Sequence, residues 1–238
     1  VLTRRASAAA VAEELARRQL PDGGFCGAPR LAAGSSLHAT RCALAALADL
    51  GALHGDLVAR AAGYLVAAQL PDGSWSPEGD ASEPAALEAT GRVAGLLART
   101  PCVRARPAEA AAEWLAARFA PDRVQGFAWG PLAAYAATFA NVAHEDSDAI
   151  LQWCGRELER GFRAGAFDAA RTARVLLDCD APSLPGARLD PSEIVAALVV
   201  GQLADGGWRP AGAEPGRRVA SALDALAALA RLGTARAR

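Results

Sequence analysis

The heptapeptide Gln69-Leu-Pro-Asp-Gly-Ser-Trp75 recurs, with small changes, as Gln19-Leu-Pro-Asp-Gly-Gly-Phe25 and as Gln202-Leu-Ala-Asp-Gly-Gly-Trp208. A phrase that returns along a chain outranks local propensity, because it marks one supersecondary unit stacked on copies of itself. The first two copies begin 50 residues apart. Weaker copies run from Arg118-Phe-Ala-Pro-Asp122 into Gly126-Phe-Ala-Trp129, and from Trp153 to Gly165-Ala-Phe167. Five units therefore fill the 238 residues, read as a single domain over 1–238. Pro-Asp-Gly is a turn with a mechanism: Pro presets φ, Asp bonds its own backbone, and Gly takes the left-handed conformation that ends a helix.

On either side of the phrase, apolar residues fall at helical spacing: Leu57, Ala61, Tyr64, Leu65 and Ala68 before it, Leu37, Leu44, Leu47 and Leu50 after it. Each unit is thus helix, tight turn, helix. The second helices share a column, His38-Ala-Thr40, Glu88-Ala-Thr90, Ala136-Ala-Thr138, Ala170-Arg-Thr172 and Val219-Ala-Ser221. Two registers imply two layers, with the Ala-rich second helices in the more crowded one. The expected fold is all-α, an α/α toroid of about ten helices in five two-helix repeats, closed or nearly closed, with no strand run and one apolar central cavity.

Arg60-Ala-Ala-Gly-Tyr64-Leu65, Gln69, Gly73 and Trp75 together resemble the QW repeat of squalene-hopene and oxidosqualene cyclases, within the toroid superfamily of terpenoid cyclases and protein prenyltransferases. The resemblance is strongest in the second unit and good in the first and last. It implies inner and outer helices, with the Gln and the aromatic tying neighbouring units together. Repeated residues do what every unit needs, so function belongs where the units differ.

Composition narrows the classes. There are 25 basic and 26 acidic residues with a net charge of −1, and no basic run, so nucleic acid is not an expected partner. No apolar stretch is long enough to cross a bilayer. Every basic residue is Arg, which excludes a lysine Schiff base and a P-loop lysine. No secretory leader is read, and the five cysteines, Cys26, Cys42, Cys102, Cys154 and Cys179, contain no CxxC, so they are expected reduced, in the cytoplasm. Cys42 and Cys154 lie in helical patterns and read as core fillers, the other three as loop residues without an activating partner.

The resemblance implies catalytic carboxylates just before the Thr column, where class II terpene cyclases keep a DxDD-T-A motif at the start of an inner helix. No unit here keeps the acid triplet. Glu88 takes the place of the middle acid, His38 the same place one unit earlier, and Asp168 the first acidic place of unit four. A single Glu does not supply the acidity that an unactivated alkene demands. Protonating an epoxide, or moving a proton at a carbonyl or hydroxyl, asks less, and a Glu/His pair suits it. His38 and Glu88 on adjacent inner helices are expected to face one groove. The bland alternatives are an i, i+4 pair of Glu88 with Arg92 and a rim histidine.

Trp129, Tyr135 and Phe139 are the candidate lining for the apolar body of a ligand, although Tyr135 and Phe139, at i, i+4, equally fit core packing. Arg41 is the candidate for a polar head, beside the inner-helix starts, whose free N–H groups favour an oxyanion. His144-Glu145-Asp146-Ser147-Asp148 reads as a helix cap. No metal site is expected, because Asp178-Cys179-Asp180 lies at the rim opposite His38; no cofactor is implied. The favoured function is a terpene-cyclase-like enzyme doing acid/base cyclisation or isomerisation on a hydrophobic small molecule, with Glu88 as donor and His38 as partner. The alternative is a non-catalytic toroid that sequesters an apolar metabolite or serves as a partner subunit.

Overall fold

The computed structural model describes residues 8–27, 34–209 and 217–233. Among these the chain forms ten α-helices: α1 (Ala8–Arg18), α2 (Leu37–Asp49), α3 (Asp56–Ala67), α4 (Glu83–Ala98), α5 (Arg106–Ala116), α6 (Trp129–Phe139), α7 (Ser147–Arg163), α8 (Ala169–Asp178), α9 (Pro191–Val200) and α10 (Arg217–Leu232). The protein is all-α, as its periodicity predicts. The one departure is a minimal antiparallel pair, β1 (Phe25–Cys26) with β2 (Ser35–Ser36), which fastens the loop before α2.

The three turn phrases fold alike. In each, the Asp carboxylate accepts the backbone N–H two residues on, from Gly24, Ser74 or Gly207, at 3.0 Å. The glycines at 23, 73 and 206 stand at φ 89°, 90° and 83°. At Gly73 a Cβ would also lie 2.6 Å from the Ala110 carbonyl oxygen of α5, so glycine is required twice over. Gln19 donates to its own turn at Gly23 (2.9 Å) and to the Leu57 carbonyl of α3 (3.0 Å); Gln69 donates to Gly73 and to the Pro107 carbonyl of α5, both at 2.8 Å. The Gln thereby clamps one turn to the start of the next outer helix. The Trp75 and Trp208 indoles each donate 2.7 Å to a carbonyl of the preceding helix, Leu65 and Leu198.

The buried threonines of the shared column have a structural use. Thr40 Oγ1 accepts the Phe25 N–H and Thr90 Oγ1 the Trp75 N–H, both at 2.9 Å, so each inner helix holds its own turn phrase. Thr138 donates to the Gly91 carbonyl on α4 (3.1 Å), and Thr172 back to Asp168 (3.0 Å).

Even-numbered helices pack on one another in the order α2, α4, α6, α8, α10, while α3, α5, α7 and α9 each pack against their even-numbered neighbours. Small residues set the spacing of the even-numbered helices. Gly91 and Gly95, one turn apart on α4, face Ala134 and Ala137 of α6 so closely that a Cβ on either would stand within 2.5 Å of α6 atoms. Accordingly α6 is buried from Leu132 to Phe139. Arg174 on α8 reaches Asp49 on α2 through two hydrogen bonds of 2.8 and 3.0 Å. It also pairs with Asp178 at 2.8 Å and with Asp224 on α10 at 3.6 Å.

Candidate functional site

A cavity of about 270 Å³ opens between the first turns of α2 and α4, lined by Leu37, Pro77, Ala85, Ala89 and Val93 on its apolar side and by His38, Arg41, Glu88 and Arg92 on its polar side. It is at the small end of ligand pockets, which run from about 300 Å³ upward. It is therefore smaller and more polar than the apolar chamber expected from the resemblance. A narrower space of about 20 Å³ lies deeper and shares Arg41 and Arg92 with it, adding Leu96, Arg99, Ala137 and Asp178.

The helix starts explain the site's polarity. Ser36 caps α2 by accepting the Ala39 N–H, and Glu78 accepts the Leu37 N–H; Ser82 caps α4 and Asp168 caps α8. The protein's own side chains thus already serve the N–H groups that were expected to favour a ligand oxyanion. Of the starts of α2, α4, α6 and α8, that of α6 has no side-chain cap, and there Glu88 comes to rest. Its carboxylate lies over Gly130 so closely that a Cβ at that position would be 1.6 Å from Glu88 Oε1. Gly130 is the vacancy that admits the carboxylate. Glu88 makes no ion pair with Arg92 and no hydrogen bond among the described residues.

Among the described residues neither arginine of the site has a carboxylate bonded to it. Burial lowers the pKa of Arg41, the nearby charge of Asp178 acting against that and those of Arg92 and Arg174 with it. The Arg92 Nε is buried with no hydrogen-bond partner. Among the described residues the Arg41 guanidinium makes one hydrogen bond, 3.2 Å to the Cys42 sulfur.

Cys42 is the residue that sequence reasoning misplaced. The expected core filler is exposed, because α2 turns positions 43, 44, 47 and 48 inward and leaves 42 outward. Its sulfur lies 3.5 Å from His38 Nε2, one helical turn back. Desolvation alone would raise the thiol pKa; the His38 hydrogen bond and the charges of Arg41, His38 and Arg92 outweigh it and hold the thiol below the ordinary cysteine value. His38 moves the other way: its contact with Cys42 raises its pKa against desolvation and the two arginines. The His-x-x-x-Cys spacing was the available signal, since i, i+4 residues are neighbours on a helix. Cys154, by contrast, is buried as expected, and desolvation pushes its thiol up to about 12.

The remaining candidates lie apart. Asp168 accepts the Arg171 N–H at 2.7 Å as the α8 cap. Tyr135 and Phe139 are buried in the core, Tyr135 edge-on to Phe119 and Phe139 edge-on to His144. Both rings point away from the α2/α4 cavity, because position 134 rather than 135 faces α4. Trp129 packs edge-on to Phe167 beneath the Arg171 guanidinium. Asp146 holds the N-cap position of α7 without a side-chain cap bond. Among the described residues no group of three His, Cys, Asp or Glu side chains is placed to hold a metal ion, and no helix is long and apolar enough to cross a membrane. Two roomier grooves lie elsewhere. The first, about 540 Å³, contains the turn residues Gln69 and Gly73 and is lined also by Arg104 and Arg106, and one of about 660 Å³ contains Asp180 in ion pairs with Arg99 and Arg231.

No protein-family model matches this chain, and no curated protein is found to be similar to it.

Proposed function

We propose that the protein is an enzyme of the terpenoid-cyclase-like toroid type, its even-numbered helices closing an inner ring, and that it performs acid/base chemistry on a small apolar molecule with an anionic head. The observation that carries this reading is the meeting of His38, Arg41, Glu88 and Arg92 on one small cavity whose other wall is apolar. In this reading Arg41 and Arg92 take the anionic group, since neither has a carboxylate of its own. Leu37, Pro77 and Val93 cover the hydrocarbon body. Glu88 gives or takes the proton, and His38, as the second titratable group on the wall, returns it. The ring tie from Arg174 to Asp49 supports closure. A volume near 270 Å³ favours a short substrate over a long polyene.

Octanoate and octan-1-ol separate the parts of this reading. Calorimetry is expected to show saturable binding of octanoate and none of the alcohol, with Arg41→Gln/Arg92→Gln abolishing the heat. Equal binding of both compounds, or binding that survives the double variant, overturns the anion site. Mass spectrometry of short unsaturated and epoxidised carboxylic acids before and after incubation then reads turnover, which Glu88→Gln is expected to abolish. Recovery of every acid unchanged would favour the second reading, a toroid that holds its ligand without altering it. The absence of a second carboxyl beside Glu88 is the observation on that side.

A further inference from the structure

We propose that Cys42 is a nucleophilic site, a thiolate paired with the His38 imidazolium, that forms covalent adducts with small carbon electrophiles carrying an anionic group. The inference rests on the preceding reading for its anion preference, but not for the reactivity of the sulfur.

Three observations meet at this sulfur. It is exposed, unlike Cys154 and Cys179, so an electrophile reaches it. It has an imidazole at 3.5 Å and a guanidinium at 3.2 Å on its own helix, the arrangement that stabilises a thiolate. Both of those neighbours line the adjacent cavity, where Arg92 brings a second guanidinium from α4. An incoming anion thus meets two positive charges beside a nucleophile that it would otherwise repel.

The charged surroundings are mixed. Besides His38 and Arg41 on α2, the groups facing this region are Glu88 and Arg92 on α4, Glu78 before α4, and Arg174 and Asp178 on α8. Arg174 pairs with Asp178 at 2.8 Å and also with Asp49 and Asp224, so that cluster carries more acid than base, and Glu78 is engaged by the Leu37 N–H. On α1 Glu14 holds Arg17 and Arg18, and on α3 Arg60 donates to the Leu20 carbonyl. Glu88 is a further opposing charge, set over Gly130.

In the step itself the thiolate electron pair forms the S–C bond while the bond from that carbon to its leaving group breaks. The leaving group departs with the bonding pair, and when it is basic it takes the proton of the His38 imidazolium. No oxidant or further reactant is needed.

Iodoacetate and iodoacetamide test this directly, since both alkylate a thiolate with loss of iodide and differ in charge. Simple thiols react faster with the neutral amide. On the intact protein, peptide mass spectrometry is expected to find Cys42 alkylated by iodoacetate about tenfold faster than Cys26 and Cys102 near pH 6.5, where an ordinary thiol is almost wholly protonated. His38→Gln is expected to move the pH–rate midpoint of Cys42 upward. Arg41→Gln/Arg92→Gln is expected to restore the amide preference. If Cys42 reacts no faster than Cys26 and Cys102 with either reagent, the nucleophile is overturned while octanoate binding still judges the anion site. If Cys42 is fast but prefers the amide, the anionic substrate class is overturned, and with it the head-group role of Arg41 and Arg92. An unchanged pH–rate midpoint in folded His38→Gln overturns the imidazolium pairing.

Discussion

Two neighbouring sites on the even-numbered helices use the same residue type in opposite ways. At the C-terminal ends of α2 and α8 Arg174 is held by Asp49, Asp178 and Asp224; at the adjacent cavity, Arg41 and Arg92 have no carboxylate bonded to either among the described residues. Arginine loses much of its hydration at both sites, and at the first three carboxylates offset the loss, although the Nε of Arg174, like that of Arg92, has no hydrogen-bond partner. Burial works against the charge of Arg174, yet its three carboxylates drive its pKa far above the ordinary value, whereas burial of Arg41 lowers it. An arginine held by carboxylates ties helices together, and one facing a cavity without them is, in the proposed reading, a place for an anion from outside.

The largest effect should come from Arg174→Leu, which strands three acids. Removing one partner from such a buried cluster costs about 3–5 kcal/mol, to be read in urea unfolding. Arg92→Leu replaces a guanidinium that has no partner to lose and is expected to leave the urea midpoint unchanged or higher. A loss comparable to that of Arg174→Leu would mean that Arg92 has a structural partner and the contrast fails.

Next in size, Thr90→Val keeps the shape of the side chain but removes the acceptor of the buried Trp75 N–H. An unsatisfied buried donor costs about 1–3 kcal/mol by the same measurement. Thr40→Val should match it at the Phe25 N–H. If neither variant unfolds earlier, the threonine column is not a brace for the turns.

The paired site also has a pH signature. Asp224 has its pKa pushed up to about 6, mainly by burial, against the pull of Arg174 and with the repulsion of Asp178 and Asp49. A carboxyl with a higher pKa folded than unfolded binds more protons in the folded state between the two values. Its stabilising contribution is full below about pH 4, the unfolded carboxyl value, and is lost as pH rises toward 6. Asp224→Asn should remove that decline, flattening stability against pH across this window and leaving the protein relatively more stable at pH 7. An unaltered profile would show that Asp224 does not titrate there. The smallest effect belongs to an arginine cluster in solvent: Glu14→Gln breaks pairs to Arg17 and Arg18 and should leave the urea midpoint nearly unchanged.

Legibility followed distance along the chain. Gln69 and Trp75 were readable because their roles are local and repeated: a turn, an adjacent helix and the next outer helix. Glu88 and His38 were readable as residues that break a repeated column, and they do line one cavity. The column itself pointed to chemistry by resemblance, yet Thr40 and Thr90 hold turns. Tyr135 and Phe139 were ambiguous because helical spacing fixes which residues share a face, not which neighbour that face meets. Cys42 was misread for the same reason: a small residue in an apolar helix is inward or outward according to a rotation of about 100° per residue, and the buried side was unknown. Arg92 was seen only as a partner for Glu88.

What the sequence by itself determined is the part governed by short-range geometry. The helical elements, the glycine turns at 23, 73 and 206 and the pairing of helices across them follow from periodicity and from φ values that few residues adopt. Only the tertiary structure decided which charges meet. Arg174 finds Asp49 across 125 positions of chain while Arg41 and Arg92 find none, and nothing in the residue type distinguishes them. Hydration makes every arginine alike in an unfolded chain. Packing removes that hydration unevenly, and where it does so without supplying a carboxylate it leaves the unpaired charges that point to a ligand.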